Sequence, residues 1–101
     1  MNANSNGYMP QPIDTSDVVL SEALLALAET LAANTHDVWA LGKMRKGYVY
    51  GAETSDADMT HRDLIPYGEL SEAAKDYDRN TSIETLKVLV KLGWTLTPPE
   101  A

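Results

Sequence analysis

The stretch His36-Asp37-Val38-Trp39-Ala40-Leu41-Gly42-Lys43-Met44-Arg45-Lys46-Gly47-Tyr48-Val49-Tyr50-Gly51 changes character at Gly47. Up to Lys46 it reads as a helix, because side chains three or four apart share a face. His36, Trp39, Lys43 and Lys46 then fall on one stripe, and Val38, Leu41 and Met44 form a separate apolar stripe expected to point into a core. The first stripe brings an imidazole and an indole beside two ammonium groups, a set suited to a planar anionic ligand such as a nucleotide. The competing reading buries Trp39 at the helix flank and leaves the lysines solvated. Spacing alone favours that second reading, because tryptophan is usually mostly buried. Gly47 ends the helix, and Tyr48-Val49-Tyr50 alternates aromatic and branched residues as a short strand does.

Working upstream, Ser21 is an N-cap, followed by leucines at 24, 27 and 31 in helical spacing. Asn34-Thr35-His36 interrupts that run with poor helix formers, so a break is expected there, with Asn34 capping a second helix and Asp37 near its positive end. Downstream, residues 52–66 read as loop, anchored by Leu64 and Ile65. Ser71 opens a short helix, and Thr81-Ser82-Ile83-Glu84 has the form of a capping box that starts the last one. The expectation is a mainly α fold with a small β element. Its helical segments lie near 21–33, 35–46, 71–78 and 82–92, around a core of Leu24, Leu27, Leu31, Leu41, Leu86, Leu89 and Val90. Residues 1–7 are expected to be disordered, 8–95 to form the domain and 96–101 to be a flexible tail.

The chain has 101 residues, enough for one modest core, and 44% hydrophobic against 23% charged residues is the balance of a globular domain. Its formal charge of −7 repels a nucleic-acid backbone, so no duplex partner is expected. Lys43, Arg45 and Lys46 concentrate three of the eight basic residues, sufficient for one or two phosphates. Without cysteine there is no disulfide scaffold, thiolate zinc site or cysteine nucleophile. The first residues lack a basic and apolar leader pattern, and the apolar run from Leu24 to Ala33 is too short to span a bilayer. A cytoplasmic protein with no membrane partner is expected.

Asp56, Asp58, His61 and Asp63 invite a metal hypothesis. An EF-hand starting at Asp56 would need glycine where His61 stands and glutamate where Tyr67 stands, so a solvated acidic loop is the better reading and no metal site is assigned. His36 and Asp37 diverge by about 100° on a helix and do not make an acid–base pair. Gly47-x-x-x-Gly51 precedes no helix and is not a phosphate loop. No catalytic residue and no cofactor is assigned. In Tyr77-Asp78-Arg79 the guanidinium either pairs with a neighbour or offers its fork to a phosphate.

A series of short motifs extends over most of the chain. In order they are Tyr8-x-Pro10-x-Pro12-x-Asp14-Thr15-Ser16, Leu20, Ala32-x-Asn34-x-His36-Asp37-x-Trp39, Gly47-Tyr48-x-Tyr50-Gly51, Leu64-x-Pro66-Tyr67-x-x-Leu70, Tyr77-Asp78-Arg79, Glu84-Thr85-Leu86-Lys87 and Leu92-Gly93-Trp94. This series resembles the ryanodine receptor repeat family, the RyR domain, which includes paired repeats of calcium-release channels and short prokaryotic and phage proteins. A free chain of this length looks like the second kind. The resemblance implies a single domain with two antiparallel main helices and shorter helical segments. In the channels two repeats pack as a pseudo-twofold pair, and one such pair binds an adenine nucleotide between the tryptophans of its His-x-x-Trp motifs. Here that motif is His36-Asp37-Val38-Trp39. The resemblance thus implies an adenine-nucleotide-like ligand beside Trp39; together with the residue readings above, the expectation is Trp39 stacked on the base, His36 hydrogen-bonded to it, and Lys43 or Arg79 on the anionic group. A homodimer would supply the second face. The expected function is a non-catalytic binding or sensing module. A docking module acting through the Trp39 face is the alternative, and an enzyme acting on a nucleotide comes third.

Overall fold

The computed structural model describes residues 6–100. The first five of the seven N-terminal residues expected to be disordered, and Ala101 of the expected tail, lie outside them. The fold is mainly helical. Helix α1 spans Glu22–Arg45 and helix α2 spans Glu72–Lys91. Two short strands, β1 (Val49–Tyr50) and β2 (Thr60–His61), and a 3₁₀ turn at Tyr67–Glu69 lie between them.

Both helices start where a serine side chain can replace a missing backbone partner. Ser21 accepts the Leu24 N–H and Ser71 accepts the Ala74 N–H, each at 3.2 Å. Neither helix has the interior break expected from sequence. α1 runs straight through Asn34-Thr35-His36, so Asn34 is not a cap. α2 runs through Asn80-Thr81-Ser82, and the Thr81 hydroxyl donates back to the Tyr77 carbonyl at 2.9 Å instead of opening a helix. Glu84, the expected closing residue of that capping box, accepts a 2.7 Å hydrogen bond from the Thr15 hydroxyl. The four expected segments are therefore two continuous helices. Poor helix formers cost only about 0.7 kcal/mol or less each. Burial of Ala32, His36 and Ser82 against the rest of the fold outweighs that local preference.

Leu20, Ala28 and Leu86 form the buried core cluster, with Leu24, Leu31, Ile83, Leu89 and Val90 packed around it. Leu96, expected in a free tail, also packs against this cluster. Two expected core residues are exposed instead, Leu27 at 40% and Leu41 at 49%. The whole stripe of Val38, Leu41 and Met44 faces outward. A helix can bury only one stripe, and in α1 that stripe is Ala28, Ala32 and His36 at intervals of four. Val38, two positions beyond His36, lies about 200° around the axis. The small alanines let the neighbouring elements come close, which a larger apolar side chain there would prevent.

Gly47 closes α1 with φ at +97°, a left-handed conformation that favours glycine. β1 then pairs in parallel with β2, in the register Val49–Thr60 and Tyr50–His61. The approach is tight at Gly51, where a Cβ would lie 2.7 Å from the Thr60 Cβ. From β2 the chain buries Leu64, forms the 3₁₀ turn, buries Leu70 and enters α2 at Ser71. This path holds His61, Asp63 and Ile65 in place beside α1. Among the described residues no helix is long and apolar enough to cross a membrane.

Candidate functional site

His36 is the most buried polar residue of α1, at 4% exposure. Its Nε2 lies 2.7 Å from the Ile65 carbonyl oxygen. A carbonyl can only accept, so Nε2 carries a proton and donates; in the neutral ring Nδ1 is then an acceptor. Nδ1 has no hydrogen-bond partner among the described residues, yet no buried side-chain nitrogen or oxygen there is left unsatisfied, so it keeps access to the adjoining cleft.

Trp39 follows one helical turn later, half-buried, with its ring centroid 5.6 Å from that of His36 and the planes tilted by 31°. His61 arrives from β2 and meets Trp39 nearly edge to face, at 4.8 Å and 77°. The Asp63 N–H donates to His61 Nδ1 at 3.0 Å, so the neutral His61 ring carries its proton on Nε2. A cleft of about 370 Å³ opens between these groups and the start of α2. Thr35, His36 and Trp39 line one side, and His61 and Asp63 come from the connecting segment. Leu70, Ala74, Tyr77 and Asp78 complete it. Its size is that of a small-molecule site, which typically holds about 300–1,000 Å³.

Of the sequence-derived site residues, the structure brings together His36 and Trp39 and leaves Lys43 and Arg79 out of the lining. The Lys43 ammonium sits 4.4 Å above the centre of the Tyr48 ring. Arg79 is engaged on all sides. Its Nε donates to Glu29 at 2.6 Å, and its Nη1 donates to Glu72 at 3.0 Å and Asp76 at 3.3 Å. The Tyr67 hydroxyl also donates to Glu29, at 2.9 Å. Hydrogen bonding to Arg79 holds the Glu29 carboxyl below its ordinary range, and Glu29 in turn holds Arg79 more firmly charged. Burial first, then the Glu29 carboxylate, pushes the Tyr67 hydroxyl upward. Arg79 thus ties α1 to α2 through Glu29, 50 positions away, and pairs with Glu72 and Asp76 on its own helix, while Asp78 ends no helix because α2 runs on to Lys91.

His61, Asp63, Tyr77 and Asp78 line the cleft although the sequence did not single them out as ligand residues. Tyr77 and Asp78 precede Arg79 directly, and once α2 is continuous their spacing from Ala74 puts them on its cleft side. His61 and Asp63 belong to the segment read as a solvated acidic loop, which the structure divides by role. Asp56 accepts a 2.8 Å hydrogen bond from Tyr48 and thereby raises the tyrosine's pKa, while His61 and Asp63 turn to the cleft. Among the described residues no three His, Asp or Glu side chains come together in a way that could hold a metal ion.

The family model described as RyR domain matches residues 8–98, and the chain belongs to that family.

Proposed function

We propose that this member of the RyR domain family is a non-catalytic small-molecule binding module that takes a planar, nucleobase-like ring into the cleft beside Trp39. The observation that carries the reading is the half-buried indole held between His36 and His61 at the wall of a ligand-sized cleft. Two antiparallel helices are part of it. Leu20 and Ala28 cluster with Leu86, Glu29 bonds Arg79, and Thr35 and His36 share the cleft with Leu70 and Ala74, so contacts descend α2 as they climb α1. With Lys43 over Tyr48, Arg79 in ion pairs, and Asp63 and Asp78 in the cleft wall, the site favours the ring of a nucleotide over its phosphate.

Calorimetry with adenine and with adenosine monophosphate tests this. Adenine should bind, and the phosphate should add no affinity. Stacking on an aromatic side chain contributes roughly 1–3 kcal/mol, so Trp39→Ala should weaken adenine about five- to a hundredfold. The proposal fails if neither ligand binds at millimolar concentration, or if Trp39→Ala leaves the affinity unchanged.

A second reading, docking of a partner or of a second copy of the chain, has its own supporting observation. Val38, Leu41 and Met44 form an exposed apolar stripe on α1, and Val49 and Tyr50 of β1 are exposed as well. Sedimentation at micromolar concentration should then show a dimer that Leu41→Glu dissolves; a monomer at all concentrations would remove the self-docking form of this reading.

A further inference from the structure

We infer that the cleft selects a flat organic cation bearing in-plane N–H donors, of the amidinium or aminopyridinium class. The inference rests on the cleft being a ligand site and concerns the charge of what enters it. Its polar inventory is dominated by acceptors. Asp63 and Asp78 contribute carboxylates, and both are partly shielded from solvent. His36, itself 4% exposed, contributes Nδ1, which the Ile65 carbonyl forces into the acceptor role by taking the ring's proton-bearing nitrogen. The fixed donor is His61 Nε2–H, and the Thr35 and Tyr77 hydroxyls can act either way. Among the described residues no lysine or arginine lines the cleft.

The aromatic surfaces act in the same direction. Trp39 and Tyr77 add aromatic rings to the lining, and the quadrupole of an aromatic ring attracts a cation. A delocalised planar cation combines that attraction with stacking, whereas a compact ammonium would leave much of the indole face uncovered. An anion would meet two carboxylates with no compensating charge. A neutral ring would stack but leave the carboxylates without a charged partner. The whole chain, at −7, adds a long-range field of the same sign.

The experiment compares three probes of nearly equal shape on the full chain by calorimetry: benzamidinium, benzamide and benzoate. Benzamidinium should bind about tenfold or more tighter than benzamide, and benzoate should be the weakest. The preference should shrink as ionic strength rises from about 20 to about 500 mM, because screening acts on the charge term alone. Asp63→Asn and Asp78→Asn, singly and together, should bring benzamidinium down toward benzamide, with circular dichroism checking that each variant is folded. Should the double variant not fold, the single variants and the salt series decide. Equal binding of benzamidinium and benzamide overturns the charge inference and leaves the cleft standing as a ligand site. Binding of adenine without binding of any of the three probes overturns it in the same way. If neither adenine nor any of these probes binds, the cleft reading falls with it.

Discussion

The two ends of the helix pair are built differently. Where Leu20 and Ala28 meet Leu86, the contacts are aliphatic, and Leu24, Leu31, Ile83 and Leu89 surround them. Where Thr35, His36 and Trp39 face Leu70, Ala74 and Tyr77, the same two helices leave a cleft of about 370 Å³ edged with imidazoles and carboxylates. Between the ends, Arg79 clamps Glu29 and Glu72, and Tyr67 adds a further hydrogen bond. The contrast separates two tasks within one pair of helices. Close apolar contact gives stability but leaves no room, and a cleft lined by polar groups gives recognition at the expense of buried apolar area.

Damage to the apolar end should have the largest effect. Leu86→Ala should cost about 2–5 kcal/mol of folding free energy, measured by urea denaturation, because the loss of transfer free energy is joined by a cavity. A loss under about 1 kcal/mol would mean that stability resides elsewhere. At the cleft end, His36→Ala should cost less, about 1–3 kcal/mol, chiefly by leaving the Ile65 carbonyl without its donor. A greater loss than that of Leu86→Ala would reverse the assignment of tasks.

The clamp between the ends makes a prediction in acid. Glu29 has a folded pKa below its ordinary 4.5, because Arg79 and Tyr67 donate hydrogen bonds to its carboxylate. A lowered carboxyl pKa stabilises the fold above the ordinary value, and that contribution is lost as pH falls through the folded value. The melting temperature should therefore hold between pH 7 and about 5 and then decline, with a shallower decline in Glu29→Gln. Some decline should remain, because Glu72 and Asp17 are lowered by their own partners Arg79 and Lys91. An identical acid profile in Glu29→Gln would show that the clamp contributes nothing to stability. The smallest effect belongs to the outer stripe of α1. Val38, 64% exposed, should tolerate Val38→Lys within about 0.5 kcal/mol in either direction. A multi-kcal/mol loss would show that this stripe is covered in solution.

Much of this molecule was legible along the chain, in places where neighbouring residues decide the outcome. Ser21 and Ser71 cap helices, Gly47 and Gly93 end them with positive φ, and Val49–Tyr50 is a strand, each through interactions within a few residues. His36 and Trp39 are adjacent in space because helical geometry puts residues three apart on one face. What depended on distant residues was misread or missed. Asn34 and Thr81 looked like helix boundaries because local propensity is all that a short window contains. The apolar stripe of Val38, Leu41 and Met44 looked like the core because hydrophobicity alone cannot say which side of a helix meets its partner. The alanine and histidine stripe won that side because small residues admit close approach and His36 finds the Ile65 carbonyl, 29 positions away.

The helical class, the ends of the helices and the His36–Trp39 pair were already set by the amino-acid order, since capping, glycine φ and the helical period are short-range effects. Packing of the folded chain settled which stripe is buried, that Arg79 binds Glu29 across 50 positions, and that His61, Asp63 and Asp78 join the cleft. The reason is that chain closure and side-chain partnership over such separations depend on how whole elements pack, a quantity no single segment encodes.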